Sequence, residues 1–200
     1  MIKNIIFDLC GVLIDWNPRY LYRKILKDEK DIDFFLNHIL TKDFENRCNM
    51  GEEPRKVILD LIKIHPEYKE AITAYDTRWQ EMIGGKNSET YEILNELKGM
   101  SYKIYGLTNF PLCKFKEMDK QYTYAIPYEN NLISANLKVC KPDPMIYKMM
   151  IRRFNINPRE SLFIDNTLSH VDAAIKEGIR GIHYTNPEKL RDALHILKIL

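Results

Sequence analysis

Asp8, Thr108 with Asn109, Lys141, and Asp165 with Asn166 each stand at or near the end of a predicted strand or at the head of a helix. Together these residue types are the parts of a group-transfer site. A carboxylate can act as nucleophile, a hydroxyl or amide can hold the group in transit, a lysine can offset negative charge, and a further acidic residue can orient a metal or a water. Asp8 has the most informative context, with Ile5-Ile6-Phe7 before it and Leu9-Cys10-Gly11-Val12-Leu13 after it. In an open α/β sheet a carboxylate at a strand's carboxyl end faces the ligand crevice, and a glycine three residues on lets the backbone turn sharply there.

The elements that must position these residues follow from periodicity. Residues 2–8 read as a buried strand. Segments with helical spacing then run over residues 19–26, 32–40, 44–49, 54–64 and 67–82, with no strand-like run between them. Gly84-Gly85 ends this block, and Ser88 is placed to cap a helix through Leu97. Residues 102–108 predict a second buried strand and 112–120 a helix, and the strand content of 122–133 stays open. The remainder alternates: a helix over 142–154 with proline in its first turn, a strand over 161–164, a helix over 168–177 stopped by Gly178, a strand over 181–184, and a last helix opened by Pro187. Strands alternating with helices predict an α/β fold with a doubly wound parallel sheet, and the all-helical block after the first strand predicts a cap over the catalytic edge. The expected division is a core of residues 1–14 and 86–200 with a cap insertion over 15–85.

Composition narrows the partners. Lys and Arg total 30 against 28 acidic residues, for a net charge of +2, and no run of like charges marks a nucleic-acid or membrane surface. With 45% apolar residues, 200 residues are enough for a substantial core. The four cysteines, 10, 48, 113 and 140, are too widely spaced for a zinc site. A reducing cytoplasm is the expected setting. The start of the chain lacks the features of a signal peptide, and no apolar run approaches the roughly 18 residues of a membrane span. The expected partner is a small molecule, with no nucleic acid and no membrane, and the expected assembly is a monomer or homodimer.

Four motifs in order, Phe7-Asp8-Leu9-Cys10-Gly11-Val12-Leu13-Ile14-Asp15, Leu107-Thr108-Asn109, Lys141-Pro142-Asp143-Pro144 with Tyr147, and Phe163-Ile164-Asp165-Asn166, resemble those of the haloacid dehalogenase superfamily. The likeness is greatest to its phosphatase-like members with a helical cap, and it covers nearly the whole chain. The resemblance implies a Rossmann-like core and a phosphatase that works through an aspartyl-phosphate. In that reading Asp8 attacks phosphorus, Thr108 and Asn109 contact phosphoryl oxygens, Lys141 bridges Asp8 and the phosphoryl group, and Mg2+ neutralises developing charge. The metal ligands it implies are Asp8, the backbone carbonyl of Cys10, Asp165 and Asn166. The implied substrate is a small phosphate ester, with the cap covering its leaving group.

Two residues depart from the pattern. Many family phosphatases carry an aspartate two residues after the nucleophile as acid and base, and this chain has Cys10, whose unperturbed pKa of about 8.5 keeps it mostly protonated. Loss of a general acid costs about 10²- to 10⁴-fold in rate. The fourth motif usually ends in a second acidic residue, and Asn166 offers a metal an oxygen without charge. Farther on, His170 stands where related phosphatases often have asparagine and related dehalogenases an aspartate. A dehalogenase forming an aspartyl ester, and a weakened phosphate-binding protein, are the alternatives. Cysteine-phosphatase chemistry is excluded, because the positions six residues after the cysteines hold Trp16, Pro54, Asp119 and Ile146 where an arginine is required. Cys10 and Cys140 both flank predicted catalytic residues, which leaves a redox role open.

Overall fold

The computed structural model describes residues 1–122 and 126–200, without the side chains of residues 119–122. The chain opens with β1 (Asn4–Phe7) and β2 (Ile14–Trp16), then runs through helices α1 (Arg19–Tyr22), α2 (Glu29–Phe34), α3 (Lys42–Asn49), α4 (Pro54–Ile64) and α5 (Lys69–Thr77). It returns through β3 (Ile83–Lys86) to α6 (Ser88–Gly99), β4 (Lys103–Thr108), α7 (Leu112–Tyr122), β5 (Asn131–Ile133) and α8 (Ser134–Leu137). The last part is α9 (Pro144–Phe154), β6 (Ser161–Asp165), α10 (Leu168–Lys176), β7 (Arg180–His183) and α11 (Pro187–Ile196).

Five strands pair in parallel in the order β5-β4-β1-β6-β7, the doubly wound sheet expected of the sequence. β1 is central and buried on both faces, which is why it reads as an unbroken apolar run. Its side chains still alternate. Ile5 and Phe7 join a core that includes Leu94 and Leu97 of α6 and Leu190 and Leu194 of α11, whereas Ile6 packs with Ile146, Tyr147 and Met150 of α9. Among the described residues no helix is long and apolar enough to cross a membrane.

Several boundaries differ from expectation for local reasons. The helix foreseen over 19–26 stops at Tyr22, and the next begins early because the Asp28 side chain accepts from the N–H groups of Lys30 and Asp31. The segment 67–82 divides into short 3₁₀ turns, Pro66–Tyr68 and Trp79–Met82, on either side of α5. The cap of α6 is Asn87, not Ser88, since the Asn87 Oδ1 accepts from Thr90 N. Pro142 precedes α9 instead of opening it; Asp143 caps that helix and Pro144 is its first residue. Within the open stretch, β5 is a three-residue edge strand, and residues 123–125 lie outside the described residues.

The sequence reading missed a second sheet. β2 and β3 pair antiparallel, Ile14 with Lys86 and Asp15 with Gly85, where the chain leaves for the helical block and returns from it. Bonds from Asn17 N to Met82 O and from Asn87 N to Leu13 O extend that pairing at both ends. This neck seats the helices over the carboxyl edge of the main sheet.

Candidate active site

β1 is flanked by β4 and β6, and Phe7 lies level with Gly106 and Ile164. Asp8 is therefore one residue beyond the paired region, between strands that end in Thr108 and Asp165. A cavity of about 700 Å3 opens on this edge and is lined by Asp8, Cys10, Thr108, Asn109, Lys141 and Asn166. Asp165 is not part of the lining and stays behind the cavity wall, fully buried.

Lys141 organises the floor. Its ammonium donates to Asp8 Oδ1 at 2.9 Å, Asp165 Oδ2 at 2.7 Å and the Leu107 carbonyl at 2.9 Å, which uses all three N–H groups. Burial works against its charge, but the two carboxylates hold its pKa above the ordinary lysine range. Asp8 is pushed up to about 6, by burial first and by the charge of Asp165 second, with Lys141 only partly offsetting them. Asp165 goes the other way. Burial disfavours its charge, yet Lys141 and then His170 hold it below the usual carboxylate range.

The Asn109 side chain also has a structural task. Its Oδ1 accepts from Lys141 N at 2.8 Å and its Nδ2 donates to Lys141 O at 2.9 Å, so both ends of the amide clamp the lysine's backbone. The backbone N–H and the second Nδ2 hydrogen remain for an anion. Gly11 adopts φ +84°, and a Cβ there would lie 2.0 Å from Asn166 Nδ2. Only glycine both allows that turn and leaves the Asn166 amide beside the loop that carries Cys10.

Residues 2–178 match the model of the haloacid dehalogenase-like hydrolases. The chain belongs to this family. A sesquiterpene phosphatase of Aspergillus oryzae is 26% identical over 186 residues, covering 92% of this chain and 90% of the relative. A D-ribitol-5-phosphate phosphatase of Bacteroides thetaiotaomicron is 24% identical over 210 residues, covering 98% of each. A family enzyme from Bacteroides thetaiotaomicron, solved with magnesium and inorganic phosphate, shares the fold at a TM-score of 0.69 and 21% identity, over 93% of this chain and 96% of that one.

The hydrolase site of this chain also uses residues that the motifs did not assign. His170 Nδ1 lies 3.2 Å from both oxygens of Asp165, and Thr167 N donates to Asp165 Oδ1 at 2.8 Å. With Lys141 on Oδ2, both oxygens of Asp165 accept a hydrogen bond from within the protein. Cys10 is free and half-buried, and burial together with the charge of Asp8 pushes its thiol well up, so it keeps its proton at neutral pH. Cys140 is also a free thiol on the cavity wall.

Ser134 went unnoticed in the sequence because nothing about a lone serine after a short strand marks it. Fully buried, its Oγ accepts from Phe110 N at 2.9 Å and donates to the Asn49 carbonyl at 2.6 Å, tying the loop after Thr108 to the end of α3 in the cap. Ser134→Ala leaves both backbone groups without that partner, and a loss of about 1–3 kcal/mol in urea denaturation is the expected result.

Proposed function

We propose that this hydrolase is a magnesium-dependent phosphatase of small phosphate esters, acting through a phosphoryl group carried on Asp8. The observation that carries the reading is the Asp8–Lys141–Asp165 charge row on the floor of a cavity roofed by the cap. Leu9 N and Lys141 hold Asp8 Oδ1, which orients Oδ2 as the attacking atom. As the O–P bond to Oδ2 forms, the ester P–O bond breaks in line, and the leaving oxygen takes up a proton from water in the cavity. Water then attacks phosphorus and gives up a proton to solvent, the Asp8 Oδ2–P bond breaks, and inorganic phosphate leaves the restored carboxylate. Thr108 and the N–H groups of Asn109 face the phosphoryl oxygens, while Lys141 offsets their charge.

The residues present fit magnesium, with a reduced set of charged ligands. Among the described residues no three His, Cys, Asp or Glu side chains gather as a metal cluster, so any site depends on mixed oxygen donors. Asp8, the Asn166 amide oxygen and the Cys10 carbonyl, which accepts no backbone hydrogen bond among the described residues, supply such donors. One carboxylate with neutral oxygens suits a hard cation that keeps several waters and binds phosphate oxygens as well. The chemistry magnesium would supply here is neutralisation of phosphoryl charge. A phosphate-bearing ligand would add oxygens to that set, and a related enzyme has been solved with magnesium and inorganic phosphate.

Phosphate release from a panel of small esters is expected to require magnesium and to stop on adding EDTA. Undiminished release in EDTA would contradict the metal's role, and halide release from 2-haloacids in place of phosphate would move the chain to dehalogenase chemistry. Restoring the family's acid and metal ligand together, in Cys10→Asp/Asn166→Asp, is expected to raise kcat by about 10²-fold or more. No gain in a folded double variant would contradict the roles given to these two positions.

A further inference from the structure

Beside the active cavity the cap meets the core again, and a free thiol stands on each side of that junction. Cys48, in the last turn of α3 in the cap, is fully buried; Cys113, in the first turn of α7 in the core, is exposed. Both line one cavity of about 490 Å3, together with Gly51, Asp76 and Lys114. The two thiols also act on each other electrostatically. Burial pushes the Cys48 thiol up to about 12, with Arg47 acting against the shift and Cys113 adding to it.

Contacts between cap and core bracket both cysteines. Next to Cys48, Asn49 O accepts from Ser134 Oγ, and Gly51, at φ +90°, comes so close to the core that a Cβ there would lie 2.7 Å from Ala135 O. Ahead of Cys113, Phe110 N donates to that same Ser134 Oγ. Directly after it, the buried Lys114 ammonium reaches Asp76 of α5, 2.9 Å from Oδ1 and 3.0 Å from the carbonyl, with Glu117 Oε1 at 3.6 Å. These ties keep the end of α3 and the start of α7 at one place, with a thiol in each. An exposed thiol with a buried one beside it allows an exchange that begins at the surface to be completed inside the protein.

We propose that Cys113 and Cys48 form a redox-sensitive pair, which a low-molecular-weight disulfide such as oxidised glutathione converts into a disulfide clamping the cap to the core. Cys113 gives its proton to solvent and attacks one sulfur of oxidised glutathione; a mixed disulfide forms, and the first glutathione leaves as a thiolate that takes up a proton. Cys48 then loses its proton to water and attacks the Cys113 sulfur, and the second glutathione leaves in the same way. Two protein thiols are oxidised, and one glutathione disulfide is reduced to two thiols. The second step is the slower, since little of Cys48 is thiolate at neutral pH. α3 supplies Glu45, Asn46 and Asn49 to the active cavity, and Phe110 and Pro111 before α7 also line it, so a bond between the two helices fixes two of its walls. In a reducing compartment such a bond is transient, and it slows turnover by holding the cap down.

After incubation with oxidised glutathione, peptide mass spectrometry without reduction is expected to find a cross-link between the peptides holding Cys48 and Cys113, lost on adding dithiothreitol. Cys113→Ser, a change at an exposed site, should form no such cross-link. The bridged protein should hydrolyse p-nitrophenyl phosphate about tenfold more slowly than the reduced protein and recover on reduction, while Cys113→Ser keeps its rate through the same treatment. No cross-link, glutathione on Cys113 with Cys48 still free, a Cys10–Cys140 bridge in place of this one, or a full rate in the bridged protein would each overturn the proposal. The cross-link is read without turnover, so its failure and that of the phosphatase reading are separate results. If no ester is hydrolysed, the urea midpoint replaces the rate: a higher midpoint in the bridged protein upholds the clamp, and an unchanged one overturns it.

Discussion

Asp8→Asn is expected to abolish phosphate release and, at neutral pH, to make the folded protein more stable. The first effect follows from losing the nucleophile, since an amide oxygen does not form the covalent phosphoryl link, and a fall of at least about 10⁴-fold in kcat is the scale of losing a group that acts directly in the chemistry. The second follows from the pKa of the buried carboxyl, raised from 3.8 to about 6 by burial and by Asp165. Below about pH 3 both folded and unfolded forms hold the proton, and the site carries almost no penalty. As pH rises toward 6 the unfolded chain gives up its proton first, so stability declines, and above 6 the penalty approaches its full size, on the order of 3 kcal/mol. Asparagine keeps an acceptor oxygen for Leu9 N and Lys141 without the charge. Urea denaturation in EDTA should therefore show the variant and the native protein alike near pH 3 and the variant ahead at pH 7. A variant less stable than the native protein at pH 7 would contradict the electrostatic account.

Lys141→Met should lose activity as fully, with the opposite effect on stability. Its ammonium is the shared partner of two carboxylates that are 7% and 0% exposed. Without it they face each other uncompensated, and breaking a buried pair in this way costs about 3–5 kcal/mol. That is a large part of the 5–15 kcal/mol, roughly, that keeps a domain folded. The loss should be smaller when Asp8→Asn is already present, because one of the stranded charges is then gone. Equal costs of Lys141→Met in the two backgrounds would mean that Lys141 and Asp8 are not coupled.

These opposing effects come from an arrangement that was partly legible in the sequence. Ile5-Ile6-Phe7 and Ser161-Leu162-Phe163-Ile164 are short apolar runs closed by aspartates, and central parallel strands must look like this because both faces are covered. The positions of Asp8, Thr108 and Asp165 at one edge could therefore be read before any coordinates. Side-chain direction could not. Asn109 turns its amide onto Lys141, and Asp165 spends its oxygens on Lys141, Thr167 and His170, contacts that depend on loops with no periodicity. The neck was hidden for another reason: Ile83-Gly84-Gly85-Lys86 has the composition of a turn, and its strand exists only because Ile14-Asp15-Trp16 lies alongside.

The most direct test of the central claim is acid-quenched peptide mass spectrometry during turnover of an ester that the protein hydrolyses in magnesium. The account predicts one phosphoryl group on the peptide containing Asp8, formed within a single turnover, lost on chase with unlabelled substrate, and absent from Asp8→Asn. Phosphate release that continues in Asp8→Asn at the native rate, with no phosphorylated Asp8 peptide in the native protein, would contradict it.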